Sequence, residues 1–458
     1  MLKRFFGIDK SKKQLNESSS SRVGNKYNND KLEFDRQYIE PIKIRPTLDI
    51  VGHYGLVGRF MNELSSGTES IKEFIGIELI SYIAVSIERG NIYVPYGANK
   101  TIPRLNSLLV AATGIGKGIS SKQFNPVKEM VNKKYENLLC PEHNGGLSTT
   151  EGLVNAIRDD NEDANGEVIK GIKDKRLFVI EEEFVNVLTQ GKKGNSTLSS
   201  TIRCLFDGGE LAPLTKFNQI SCKEPHVSIF AHITAEELHS ELKPVDLKNG
   251  FMNRFPIYYG MKQPNVPFPE AISTNELEEL AIELSEVIIW CNSDKRQMIY
   301  SDCYKALWEE KYSYLRNLGA EDSLERSLMV RARHYASMYA MVFAAMDLTI
   351  EMTAKHLEAA LAWIDYWHQS VKYIYSTELD EIKAEHRKEV AKEVFKAIKK
   401  AVEANSGKAI GKTILTKKFS GRYSSQEISD ALKYMQELPE PPIKVTLLPR
   451  NKHEISLV

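Results

Sequence analysis

The stretch Ser107-Leu-Leu-Val-Ala-Ala-Thr-Gly-Ile-Gly-Lys-Gly-Ile-Ser-Ser121 decides how this chain is read. Residues Ser107 to Ala111 are apolar, short and bounded by turn residues, so they predict a strand. The strand runs straight into a glycine-rich loop, and Ser121 to Tyr135 then reads as a helix. A strand–loop–helix unit of this kind gathers backbone N–H groups at a helix N-terminus, where the helix dipole favours an anion. Thr113, Gly114, Ile115, Gly116, Lys117 and Gly118 form the loop. Its glycines let the backbone turn inward on phosphate oxygens, and Lys117 is the cation that reaches them.

The loop resembles a P-loop with two departures. Ala111 stands where the first glycine usually sits, and Gly118 stands where the hydroxyl that binds Mg²⁺ usually sits. Ser120, Ser121 or a water is then left to serve the metal. The plain alternative is an ordinary glycine-rich turn between a strand and a helix.

A second stretch weighs against that alternative. Leu177-Phe-Val-Ile-Glu-Glu-Glu183 is an apolar strand ending in carboxylates. Mg²⁺ takes oxygen ligands, and an attacking water needs an orienting base beside it. Along a strand Glu181 and Glu183 share one side and Glu182 takes the other. Glu181 is therefore the expected metal ligand and Glu183 the expected base, with Glu182 as the rival. A third strand, His226 to Thr234, ends in polar residues; His232 and Thr234 suit a sensor of the γ-phosphate or of water, and a satisfied core histidine is the alternative.

These strands alternate with helical patterns, which predicts an α/β fold: a P-loop NTPase core with a mainly parallel sheet, a helical lid and a small C-terminal winged-helix domain. The expected divisions are a flexible tail over 1–45, a helical segment over 46–100, the core over 101–262, the lid over 263–385 and the winged helix over 386–458. The Pro-rich run Gln263 to Pro269 reads as a linker or strap. In the last division Val390, Val394 and Ile398 make one helix face, Ile414, Leu415 and Phe419 a second helix, and Ile428, Leu432 and Met435 a third. Ile443 to Leu447 and Glu454 to Val458 then read as a hairpin. Three helices and a hairpin are a helix-turn-helix variant.

Composition narrows the partners. The chain has 458 residues, and 61 Lys plus Arg balance 61 Asp plus Glu. No global charge draws it to nucleic acid, so DNA contact must come from local patches. Lys412, Lys417, Lys418, Arg422 and Lys433, with Arg450 and Lys452 on the hairpin, form such a patch, although lysine clusters are also common on solvated faces. The five cysteines form no CxxC pair, which fits a reducing compartment. The most apolar run, Phe74 to Val85, is too short to span a bilayer and contains Glu78. A cytoplasmic protein is expected.

The motifs, with Gly145 to Leu153, Gly194 to Ser199 and Asn249-Gly-Phe-Met-Asn-Arg-Phe255, resemble the P-loop ATPase domain of primase–helicase-like proteins of phages, plasmids and integrated elements. The resemblance implies ATP and Mg²⁺ as cofactors and ATP-dependent work on DNA during replication of a mobile element. It carries over Lys117, Glu181, Glu183 and Arg254; Arg254 suits an arginine finger aimed at a neighbouring subunit, with a salt bridge to Glu236 or Glu237 as the alternative. Arg331 and Arg333 open a lid helix and could reach phosphate within the subunit. A homo-oligomer, a ring such as a hexamer, is expected, with priming left to a separate primase or replication protein. The rival functions are a slow, nucleotide-gated DNA-binding initiator or regulator, and a defence ATPase acting on invading DNA.

Overall fold

The computed structural model describes residues 44–162, 167–193, 196–212, 220–242, 250–321, 323–436, 438, 441–448 and 452–458. Nearly all of the expected N-terminal tail therefore lies outside the described residues. The side chains of Lys117, of 376–385, of Leu448 and of Lys452 also lie outside them. One compact unit is Pro41–His386 and another takes in Arg387–Val458.

In the first unit, helices α1 (Gly55–Ser65) and α2 (Lys72–Ser86) precede strand β1 (Ser107–Val110). After the glycine loop come α3 (Lys117–Gln123) and α4 (Asn125–Lys134), then β2 (Glu142–Asn144), β3 (Arg176–Glu181), α5 (Phe184–Gly191) and α6 (Leu198–Asp207). Strand β4 (His226–Ile233), α7 (Ala235–Glu241) and β5 (Ile257–Tyr259) follow, and then the helices α8 (Thr274–Ser293), α9 (Ala332–Met346) and α10 (Ala354–Ala404). The strands pair in the order β2-β3-β4-β1-β5, and every pairing is parallel. All residues of β1, β3 and β4 are buried, as expected when helices cover both faces of a parallel sheet. Helix α2 is apolar around nearly its whole circumference, and it packs on β1, β3, β4 and α3 as the centre of the core.

The helix expected over Ser121 to Tyr135 is two helices. The first begins at Lys117, where Gly116 takes the cap position, and the second follows Phe124 with Pro126 in its first turn. Proline lacks the N–H an interior position needs and is favoured where a helix begins, so the chain restarts there. Among the described residues no helix is long and apolar enough to cross a membrane.

The second unit holds the end of α10, then β6 (Ile410–Gly411), α11 (Lys412–Lys418), α12 (Ser425–Gln436), β7 (Ile443–Leu448) and β8 (Lys452–Leu457). The hairpin β7–β8 gains a third strand, because β6 pairs antiparallel with β8. Val390, Val394, Ile398, Leu415, Phe419, Ile428, Leu432 and Met435 form its core. Ile414 does not join them and is 48% exposed. Leu415 and Phe419, four apart, share a face that Ile414 misses.

Candidate functional site: the carboxyl edge of the sheet

The parallel register brings the carboxyl ends of all five strands to one edge: Asn144 lies beside Ile180, Glu181 beside Ala231, and Val110 between Ile233 and Tyr259. In open parallel sheets this edge is where ligands bind. The glycine loop leaves β1 there. Gly114 and Gly116 have φ of 79° and 92°, a left-handed backbone that side chains resist. A Cβ on Gly116 would also come within 2.7 Å of the Glu69 carbonyl oxygen, so that position is closed to any other residue. At Gly118 a Cβ would meet nothing within 4 Å.

The serines after the loop are placed differently from the expectation. Ser120 is fully buried; its Oγ accepts the Ile71 N–H at 2.8 Å and donates to the Gly116 carbonyl at 2.9 Å. It braces the loop against the α1–α2 connection, and its turn away from solvent corrects its assignment to the metal. Ser121 faces the sheet, with Oγ 3.1 Å from His232 Nε2. His232 is thereby a buried member of a polar pair across α3 and β4.

Strand β3 ends at Glu181, and Glu182 and Glu183 belong to the turn that follows. Strand alternation therefore does not extend to Glu183, which corrects the expected pairing of Glu181 with Glu183. Glu181 is buried, and its two oxygens accept the N–H of Leu147 at 2.9 Å and of Glu183 at 3.2 Å. Glu183 caps the start of α5 and accepts from Asn186 Nδ2 at 2.9 Å. Glu182 is exposed and lines a cleft of about 610 Å³ together with Ser121, Lys122, Lys128, Glu142 and Asn144. Glu182 and Glu183 are both exposed, and of the three carboxylates it is Glu182 that lines this cleft.

Thr234 is also accounted for. Its Oγ1 accepts from the Glu237 N–H at 3.2 Å while Glu237 Oε2 accepts the Thr234 backbone N–H at 3.0 Å, a capping box on α7, and Oγ1 also donates to that Oε2 at 2.9 Å. That arrangement corrects its expected role as a sensor, because both the donor and an acceptor site are engaged by the helix start.

Arg254 and Arg331 lie elsewhere. Arg254 precedes β5, whose first residue Ile257 pairs with Leu108 near the start of β1, so it belongs to the amino edge of the sheet, opposite the glycine loop. It is buried, and its Nη2 lies 2.5 Å from Asp207 Oδ2. The partner is thus Asp207 at the end of α6, and not Glu236 or Glu237. Arg331, the residue capping α9, reaches the other oxygen of Asp207 at 3.4 Å. That contact corrects its expected reach to phosphate on the glycine loop of its own subunit. Arg333 stacks on Tyr312. Asp207 and Asn144 were not legible as site residues: one is a lone carboxylate on the last residue of an amphipathic helix, the other the end of a three-residue exposed strand with no periodicity to read.

On the second unit, Lys417, Lys418, Arg422 and Lys433 are exposed. Lys412 Nζ is engaged by Ser429 Oγ at 2.5 Å, and Arg422 by Glu393 at 2.7 Å. Arg450 lies outside the described residues. Comparison with models of known families and with curated proteins gives no match.

Proposed function

We propose that this chain is an ATPase whose nucleotide sits on the glycine loop, and that hydrolysis drives movement or remodelling of DNA. The observation that carries this reading is that the loop with Gly114 and Gly116 and the carboxylates Glu181 and Glu182 share the carboxyl edge of one parallel sheet. Lys117 would reach the phosphates from the first residue of α3. The donor set fits Mg²⁺: Glu181 keeps lone pairs beyond the two backbone N–H groups it accepts, and Glu182 stands exposed next to it. The metal, when bound, neutralises charge on the phosphates. Glu182 is then the residue that takes a proton from the attacking water, and Glu181 holds the turn that aims it.

The basic residues of the second unit support DNA as the partner, because three helices and a hairpin with exposed Lys417, Lys418 and Lys433 suit a winged helix. The position of Arg254 on the edge opposite the loop supports a role across copies of the chain in a ring, where one copy's amino edge meets another's nucleotide. This is the reading that the likeness to primase–helicase-like ATPases of mobile elements also points to.

A second reading, a slow nucleotide-gated initiator, is favoured by one observation: Gly118 offers no hydroxyl and that of Ser120 is spent inside the protein. The two are separated by measuring ATP turnover of the full chain and of Lys117→Ala, with and without single-stranded DNA. A motor is stimulated by DNA and loses all turnover in the variant. A switch binds DNA tightly without stimulation. Unchanged turnover in Lys117→Ala removes the nucleotide site from the glycine loop.

A further inference from the structure

The amino edge of the sheet carries a concentration of positive charge of which the reading above uses Arg254 alone. Four arginines surround the C-terminus of α6. Arg89 donates to the carbonyls of Gly208 at 3.0 Å and Pro225 at 2.9 Å, so it is accounted for by backbone. The Arg104 guanidinium lies directly over Gly208, so close that a Cβ there would overlap it. Arg254 and Arg331 share the carboxylate of Asp207, and both lie over the Phe206 ring, at 5.9 Å and 5.3 Å. Among the described residues Asp207 is the only carboxylate that pairs with any of the four. The helix end adds about half a negative charge. Among the described residues, one carboxylate and a helix end face four guanidinium groups.

Among the described residues, two buried guanidinium donors here have no partner, the Nε atoms of Arg104 and Arg254. Arg254 is only 7% exposed, whereas the Asp207 side chain is 48% exposed. The carboxylate therefore sits on the arginines from the solvent side, as a removable counter-ion does.

We propose that Arg104, Arg254 and Arg331 form an oxyanion clamp at the amino edge of the sheet, which takes a phosphate group and which Asp207 occupies when no phosphate is present. Guanidinium groups from three separate segments converge, and their planar forks match phosphate oxygens better than one carboxylate can fill them. A phosphate brings three acceptor oxygens and nearly two charges where Asp207 brings two oxygens and one charge. The burial that pushes the Arg104 guanidinium down to about 10, reinforced by Arg89, is in keeping with a site that is short of anion. So is His334 beside it, driven down to about 4 by burial and then by Arg331 and Arg104, which leaves it neutral and able to accept or donate at the clamp. The ligand is a free phosphate or the terminal phosphate of a polyphosphate chain; both present the same oxygens.

The test uses the full chain with Lys117→Ala in every sample, which silences the glycine loop as a phosphate site. Inorganic phosphate and ATP are titrated by calorimetry into this protein, into the same protein with Asp207→Asn, and into that double variant with Arg331→Gln. Releasing the counter-ion is expected to tighten phosphate binding by about tenfold or more, the order of one charge contact near a protein surface, and Arg331→Gln is expected to reverse the gain. Equal phosphate affinity with and without Asp207→Asn overturns the clamp, as does a gain that survives Arg331→Gln. Tighter binding of ATP than of phosphate assigns the polyphosphate source, and equal binding assigns free phosphate. The nucleotide reading fails separately, if Lys117→Ala alone leaves ATP turnover unchanged.

Discussion

The hydroxyl of Ser120 receives the backbone N–H of Ile71 at 2.8 Å, a hydrogen bond that ties the helix after the glycine loop to the start of α2. It removes Ser120 from the solvent edge and leaves the open space beside Gly118 as the place where a metal-binding hydroxyl would fit. Gly118→Ser has room for its side chain and is expected to lower the Mg²⁺ requirement of ATP turnover by about tenfold, the low end of what a group in a metal's shell is worth. Ser120→Ala should instead cost about 1–3 kcal/mol in urea unfolding, because it strands a buried N–H, and leave the Mg²⁺ requirement alone. The opposite pattern would return Ser120 to the metal.

The three glutamates should separate cleanly. Glu182→Gln is expected to keep ATP binding and to lose turnover by about 10²–10⁴-fold, the range for a general base. Glu183→Gln should change turnover little, since its carboxylate serves Asn186. Glu181→Gln should weaken Mg²⁺-dependent binding and also lower the melting temperature, because it holds the N–H groups of Leu147 and Glu183. Turnover lost only in Glu183→Gln would mean that the turn rearranges around bound nucleotide.

Arg254 on the amino edge cannot serve the loop on the carboxyl edge of the same subunit without crossing the sheet. Arg254→Ala is expected to bind ATP normally and to hydrolyse it about 10³-fold more slowly, within the range for an arginine finger. Mixed with Lys117→Ala subunits it should regain activity, because some interfaces then pair an intact loop with an intact arginine. Mixtures that stay inactive at every ratio exclude action across subunits.

DNA affinity should rest on the free lysines of the second unit. Lys417→Glu with Lys418→Glu is expected to weaken duplex binding and to flatten the plot of log affinity against log salt by about 0.9 for each phosphate no longer neutralised. Lys412→Glu and Arg422→Glu should do less, since Ser429 and Glu393 already hold those side chains. Filter-binding or anisotropy titrations over a salt series read this directly, and an unchanged slope would make the unit a protein-docking module.

A pH dependence follows from Glu78, wholly buried in α2. Burial pushes its carboxyl up to about 8, opposed by Lys128 and reinforced by Glu142. Lys128 Nζ stands 3.9 Å from Glu78 and 2.8 Å from Glu142, so its charge is mostly spent on the latter. The folded protein holds a proton that the unfolded chain, with its ordinary value of 4.5, releases. Stability is therefore full below 4.5, falls as pH rises from there to about 8, and levels off above it. Glu78→Gln should remove this decline, and urea unfolding at about pH 6 and about pH 8 checks it. An equally steep decline in the variant would assign it to other groups.

Some of this molecule was open to a reading of its residues alone. Apolar runs bounded by turn residues predict strands because burial on both faces needs nothing beyond the run itself, as at Ser107, Arg176 and His226. Gly114 and Gly116 mark a left-handed turn because no other residue accepts that backbone cheaply. The buried faces around Val394, Leu415 and Leu432 follow from helical spacing. What the tertiary structure alone decided concerns ends and partners. Strand β3 stops at Glu181, so the alternation that would pair it with Glu183 has no strand to act along. Ser120 points inward because Ile71, far away in the chain, brings it an N–H that would otherwise be stranded. Asp207 meets Arg254 and Arg331 only because α6, β5 and α9 come together at the amino edge of the sheet. Periodicity reports how a residue faces its own helix or strand; it carries no information about which distant charge or donor the fold will set against it.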